Sequence, residues 1–192
     1  EDGEASVAER GMKRERQAIK VFVLILRHVL TAQQSTMLVE RIGLNSSLHL
    51  VGTRAVAKNF ERIADYAEDA AGYAAALADQ PVDDEIVEGL EEVVELTDET
   101  CQQVLESLDE GDVEAAAEAR DTFRRAKEIE RSLTERVFEV EEEPERLTAL
   151  NQLSSALVES SKEAIDVAEV GANRALEGSS ERFAVERSND TA

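Results

Sequence analysis

The stretch Ala57-Lys58-Asn59-Phe60-Glu61-Arg62-Ile63-Ala64-Asp65-Tyr66-Ala67-Glu68-Asp69 lies in a proline-free segment whose apolar residues recur at helical spacing. From Leu48 onward, Ala55, Asn59, Ile63, Tyr66, Ala70, Tyr73 and Leu77 follow one another in steps of four or three residues. That spacing lays side chains along one stripe of an α-helix and asks for a partner helix. Gly43 and then Asn45-Ser46-Ser47 supply a break and N-cap side chains ahead of it, and Pro81 breaks the chain just beyond Asp79, so the helix is expected to fill the space between. Glu61 and Asp65 are one turn apart. At roughly 100° per residue they sit about 40° from each other, with Glu68 beside them. The stripe is roughly opposite, so these carboxylates are expected to point away from their own core.

Before this helix, a segment over about residues 5–32 carries a basic polar stretch (Lys13, Arg14, Arg16) and then the apolar run from Val21 to Leu26. Its C-terminal half is expected to be well buried. After Pro81, the acids Asp83, Asp84 and Glu85 favour a helix N-terminus, and Ile86, Leu90, Val93, Thr97, Val104 and Leu108 form the stripe of a third helix. Gly111 stops it and Asp112 caps a fourth, with Ala119, Phe123, Ala126, Ile129, Leu133, Val137 and Val140 facing inward. Pro144 suits the first position of a fifth helix, which carries Leu147, Leu150, Leu157, Ile165, Ala168 and Leu176 and is expected to end at Gly178. Residues 179–192 are polar apart from Phe183 to Val185 and are expected to form a disordered tail.

The predicted fold class is therefore all-α. Helices three to five make one antiparallel three-helix bundle over about residues 82–178. The first two, over about residues 5–79, look like the last two members of a second such bundle that lacks its first helix. The chain opens Glu1-Asp2-Gly3-Glu4 without Met, in keeping with a fragment.

Composition limits the function classes. The 192 residues include 43 acids and 21 bases, a net charge of −22, which argues against a nucleic-acid or anionic-membrane surface. Only Lys13, Lys20, Lys58, Lys127 and Lys162 among the bases are lysines. With a pI near 4.4, this acid-rich, lysine-poor profile resembles that of halophilic proteins. Val21 to Leu26 is the longest apolar run, far short of the roughly 20 residues that cross a bilayer, so no membrane insertion is expected. Cys101 is the one cysteine, so no intrachain disulfide forms and a cytoplasmic location is expected.

The missing first helix suggests an internal repeat. An offset of 101 residues places Glu61-Arg62-Ile63-Ala64-Asp65-Tyr66-Ala67-Glu68 over Lys162-Glu163-Ala164-Ile165-Asp166-Val167-Ala168-Glu169. Asp65, Ala67 and Glu68 recur as Asp166, Ala168 and Glu169, and both octads lie on the last helix of their bundle.

The stretch from Ala57 to Asp69 resembles the signature on the third helix of each bundle in the PhoU family of phosphate-uptake regulators, where Glu-Arg-Ile-x-Asp is typical. The resemblance covers about residues 5–178. It implies two tandem bundles, a homodimer, and a non-catalytic regulator acting on a phosphate transporter ATPase subunit or a sensor protein. It also implies iron, zinc or another divalent cation on the acidic motifs, here Glu61 and Asp65 with Glu68 and Asp69. In the second repeat Asp166 is the equivalent, but Lys162 replaces the first acid, and Ile19 and Lys127 stand where second-helix acids are expected. A neighbouring ammonium opposes cation binding. An ordinary solvated helix face is the competing reading of the same carboxylates.

Other residues carry less. His28 and His49 have no second ligand or nucleophile at useful spacing, which leaves packing or capping roles. Cys101 on an inward stripe is expected to be an inert core side chain. Asn59, in an apolar stripe, suits fixing helix register or touching Tyr66 or a partner subunit. Ser154, Ser155, Ser160 and Ser161 suggest close helix approach or a polar groove. No phosphate-binding glycine loop and no catalytic serine ordering is present, so no enzyme is expected. Two alternatives stand beside the regulator. One is a carboxylate-rich metal store or metalloenzyme, which wants Glu-x-x-His pairs on inward faces. The other is a structural helical dimerisation module.

Overall fold

The computed structural model describes residues 2–34, 37, 41, 47–78, 81–110, 112–141 and 143–189, with side chains described between residues 16 and 173. Its helices are α1 (Asp2–Ala32), α2 (Ser47–Leu77), α3 (Asp84–Glu110), α4 (Val113–Val137) and α5 (Pro144–Asn189). The described residues contain no strand. The cap residues Asn45 and Ser46, and Asp79 and Gly111, lie outside the described residues.

Helix starts follow local chemistry. The Asp112 carboxylate accepts from the backbone N–H of Glu114 at 2.8 Å and of Ala115 at 3.3 Å, satisfying two of the donors that a helix N-terminus leaves unpaired. Asp83 does the same for Glu85 at 3.1 Å. Arg136, at the end of α4, pairs with Asp83 at 3.4 Å and Glu85 at 3.1 Å, tying the start of α3 to the end of α4. The buried Arg146 donates to the Pro81 carbonyl at 3.2 Å and anchors the start of α5 to the same corner.

Helices α3, α4 and α5 pack pairwise on one another. Their core holds Ile86, Val93, Leu96, Ala126, Leu133, Val137, Leu150 and Val158. At Gly89 a Cβ would come within 2.5 Å of the Leu133 side chain, so glycine is what lets α3 approach α4 so closely there. A second cluster follows along the same helices, with Val104, Ala116, Ala119, Ala164, Ile165, Val167 and Ala168. The turn near Pro81 separates helices but not cores, because Leu77 of α2 is buried in the first cluster and Ile63 packs against the second.

Helix α2 packs along α5 as well as against α1. Leu77 and Ala70 face Leu150, Leu153 and Leu157, while Ile63 lies on the cluster containing Ala164 and Ile165. Advancing along α2 thus means retreating along α5, and the two helices are antiparallel.

Two expectations need correction. Helix α5 does not stop at Gly178. It runs to Asn189, so residues 179–189 are helical, not a disordered tail. One glycine inside a helix costs only about 1 kcal/mol relative to alanine, which is too little to end it. The C-terminal half of α1 is also less covered than its apolar run suggests. Val29 and Ala32 are buried against Leu50, but Val21, Leu24 and Leu30 are 55%, 52% and 51% exposed. With α2 as its packing partner among the described helices, α1 covers only one of its faces.

Candidate functional site

The charged residues singled out in α2 gather where α2 meets α5 and α1. The Arg62 guanidinium reaches across to Glu163 Oε1 at 2.9 Å. Glu163 is 2% exposed, and its second carboxylate oxygen, Oε2, is buried without a hydrogen-bond partner. Burial pushes the Glu163 carboxyl above its ordinary range, more than the neighbouring Arg62 pulls it down. Arg62 also donates to the Tyr66 hydroxyl at 3.4 Å.

Glu61 and Asp65, the candidate metal ligands with a solvated helix face as the competing reading, are both half-buried. The Glu61 side chain is 15% exposed and is held by the Lys58 ammonium, which itself sits 5.4 Å above the Phe22 ring of α1. Asp65 is half-buried, and its carboxyl is pushed up by desolvation first and by the Glu61 charge second. Glu68 is half-buried, whereas Asp69 and Asp166 are exposed. Lys162 turns to Glu159 at 3.1 Å.

This donor set does not fit a divalent cation. Two carboxylates are brought together, and one is already engaged by the Lys58 ammonium. Among the described residues no three His, Cys, Asp or Glu side chains gather as a ligand set, whereas a hard cation wants six or more oxygens.

The remaining candidates have ordinary surroundings. His28 Nδ1 lies 2.8 Å from the Leu24 carbonyl oxygen, on an exposed turn. Cys101 is half-buried against the second cluster, and desolvation raises its thiol pKa, which keeps it protonated and unreactive. Asn59 lines the small cleft between α1 and α2 with Phe22, Val29 and Leu50. Among the serines, Ser154, Ser160 and Ser161 are buried. Ser161 donates to Thr97 Oγ1 at 3.1 Å and Thr97 to the Leu157 carbonyl at 3.3 Å, so these small side chains serve close approach of α3 to α5.

Glu163 is the residue that sequence reasoning passed over. The signal was present, because Arg62 and Glu163 face each other in the aligned octads as opposite charges at the offset of 101. On the antiparallel α2 and α5 these two residues meet. Ile63 lies on the cluster that holds its own equivalent, Ala164.

Comparison with protein-family models, curated proteins and solved structures finds no match to this chain.

Beside the seam, α2, α3 and α5 border a groove of about 1000 Å³ lined by Ala70, Ala74, Leu77, Leu90, Val94 and Leu157 among others. Its lining is almost wholly apolar, with Glu91 and Glu95 as its charged members. The arrangement as a whole offers exposed helix faces, an ion pair with one buried partner, and an apolar groove.

Proposed function

We propose that this chain is a non-catalytic, cytoplasmic regulator of phosphate uptake and phosphate signalling, acting through contacts with a phosphate transporter ATPase subunit or a sensor protein. The observation that carries the reading is the meeting of Arg62 with Glu163 at an offset of 101. It supports a chain built of two repeated helical units whose last helices pair, the organisation that the resemblance of Ala57 to Asp69 to the PhoU signature implies. The acid-rich surface is read as adaptation to high salt. Nothing at Glu61 and Asp65 favours a metal store or metalloenzyme over this reading.

The test is association. In molar-salt buffer, the purified chain is expected to retain the phosphate transporter ATPase subunit of its own organism on a column, and not an unrelated transporter ATPase of similar charge. Failure to retain the subunit, or equal retention of both, would count against the proposal.

A further inference from the structure

Helices α2 and α3 each pack along α5 more than on one another, and the space between them is the groove of about 1000 Å³. Leu153 and Leu157 of α5 lie along its floor, Ala71, Ala74 and Ala78 of α2 along one wall, and Val87 and Val94 of α3 along the other. Val87 and Val94 are 38% and 49% exposed, and Ala74 and Ala78 are exposed too. The walls run from Ala70 to Ala78 and from Val87 to Glu95, each about 12 Å at the rise of an α-helix, or roughly two turns. The alanines let a backbone come close. Apart from the carboxylates of Glu91 and Glu95, the lining side chains hold no polar group, so an occupant must satisfy its own backbone hydrogen bonds, as a helix does.

Charge says which helix. The chain has 21 Lys and Arg, 10 of them within residues 10–62, yet none falls between Ile63 and Ala119. That base-free stretch supplies both walls of the groove and carries 19 Asp and Glu. The general acidity of the chain does not by itself remove every base from one stretch. Glu91 and Glu95 stand one turn apart on the α3 wall and are exposed. The bases of the adjoining segments are turned to other partners, Arg62 to Glu163, Arg136 to Asp83 and Glu85, and Arg146 to the Pro81 carbonyl.

We infer that the groove between α2 and α3 receives a basic amphipathic helix of a partner protein. About two turns of its apolar stripe rest on Leu153 and Leu157, between the alanines of α2 and the valines of α3. Its flanking Lys or Arg side chains meet Glu91 and Glu95. This inference goes beyond the phosphate reading and stands or falls separately from it, because it rests on the shape of the groove and on the charge of its walls.

The probe is a fluorescently labelled synthetic peptide of leucine and lysine with its leucines at helical spacing, titrated with the full chain and followed by fluorescence anisotropy. Molar salt screens the unspecific attraction of a cation for an acidic protein. Saturable binding is expected there, at least about tenfold tighter than that of a peptide of the same composition in shuffled order, or of one with glutamate in place of lysine. Ala74→Trp, which fills the groove, is expected to weaken it about tenfold or more. The pair Glu91→Lys and Glu95→Lys is expected to weaken it several-fold, while the same reversal at Glu99 and Glu106, exposed on α3 outside the groove lining, leaves it unchanged. Circular dichroism checks that each variant keeps its helices. Four results would overturn the inference: no saturable binding, equal binding of the shuffled or glutamate peptide, binding that neither Ala74→Trp nor the Glu91 and Glu95 reversal weakens, or self-association of the free chain that Ala74→Trp abolishes.

Discussion

The Arg62 guanidinium lies 2.9 Å from Glu163 Oε1, and the two residues are 101 positions apart, the offset at which the octads from Glu61 and Lys162 align. Their side chains are unequally placed. Arg62 is 45% exposed while Glu163 is 2% exposed. The pair therefore positions α2 on α5 while leaving a carboxylate in a poor environment, and ion pairs of that kind contribute specificity of packing more readily than stability.

A pH dependence follows. The folded chain raises the Glu163 pKa above its ordinary 4.5, so the native state holds that proton more tightly than the unfolded one. The contribution of this group to stability is full below the unfolded value and is lost as pH rises through the raised folded value. Glu163→Gln keeps the shape and removes the charge, and Arg62 is exposed enough to be solvated without it. The variant is expected to gain melting temperature over wild type at pH 7 and to lose that gain by about pH 4. A variant less stable than wild type at pH 7 would contradict the assignment of Glu163 as a strained buried charge.

Packing and capping give magnitudes. Leu150→Ala removes a side chain 2% exposed in the largest cluster and is expected to cost about 2–5 kcal/mol by denaturant titration. Asp112→Ala deletes two N-cap hydrogen bonds and is expected to cost about 1 kcal/mol. Losses of equal size would be inconsistent with this core.

Much of the fold was legible because its signals are local. The stripes of α2 to α4, Pro81, the Asp112 cap and Pro144 each act within a few residues, and the helices begin where they say. What was not legible depends on tertiary placement. Gly178 reads as a stop, yet the helical cost of one glycine is small and α5 continues past it. The run from Val21 to Leu26 is apolar on all sides, and nothing in it tells which sides are covered. The surroundings of Glu61 were not legible either, because it is held by Lys58, which sits over Phe22 of α1, a contact that no spacing within α2 reveals.

The acidic pair yields a direct measurement. Elemental analysis of protein purified without chelator is expected to find less than stoichiometric iron, zinc and manganese, because Lys58 engages Glu61 and no three candidate ligand side chains gather among the described residues. One equivalent of bound metal, lost on Glu61→Ala, would show that these side chains rearrange into a ligand set.

Net charge sets the salt response. Self-repulsion among 43 acids against 21 bases loosens the helices at low ionic strength, and screening over about 10 Å at 0.1 M salt, shortening to about 3 Å at 1 M, relieves it. Helicity by circular dichroism is expected to rise with added salt. A flat signal from low to molar salt would contradict this.

The claim that this chain restrains phosphate uptake is tested most directly by the rate of labelled phosphate uptake in phosphate-replete cells that lack its gene. The account predicts faster uptake than in the parent strain, returned to the parental rate when the chain is supplied again. Uptake unchanged by the deletion would contradict it.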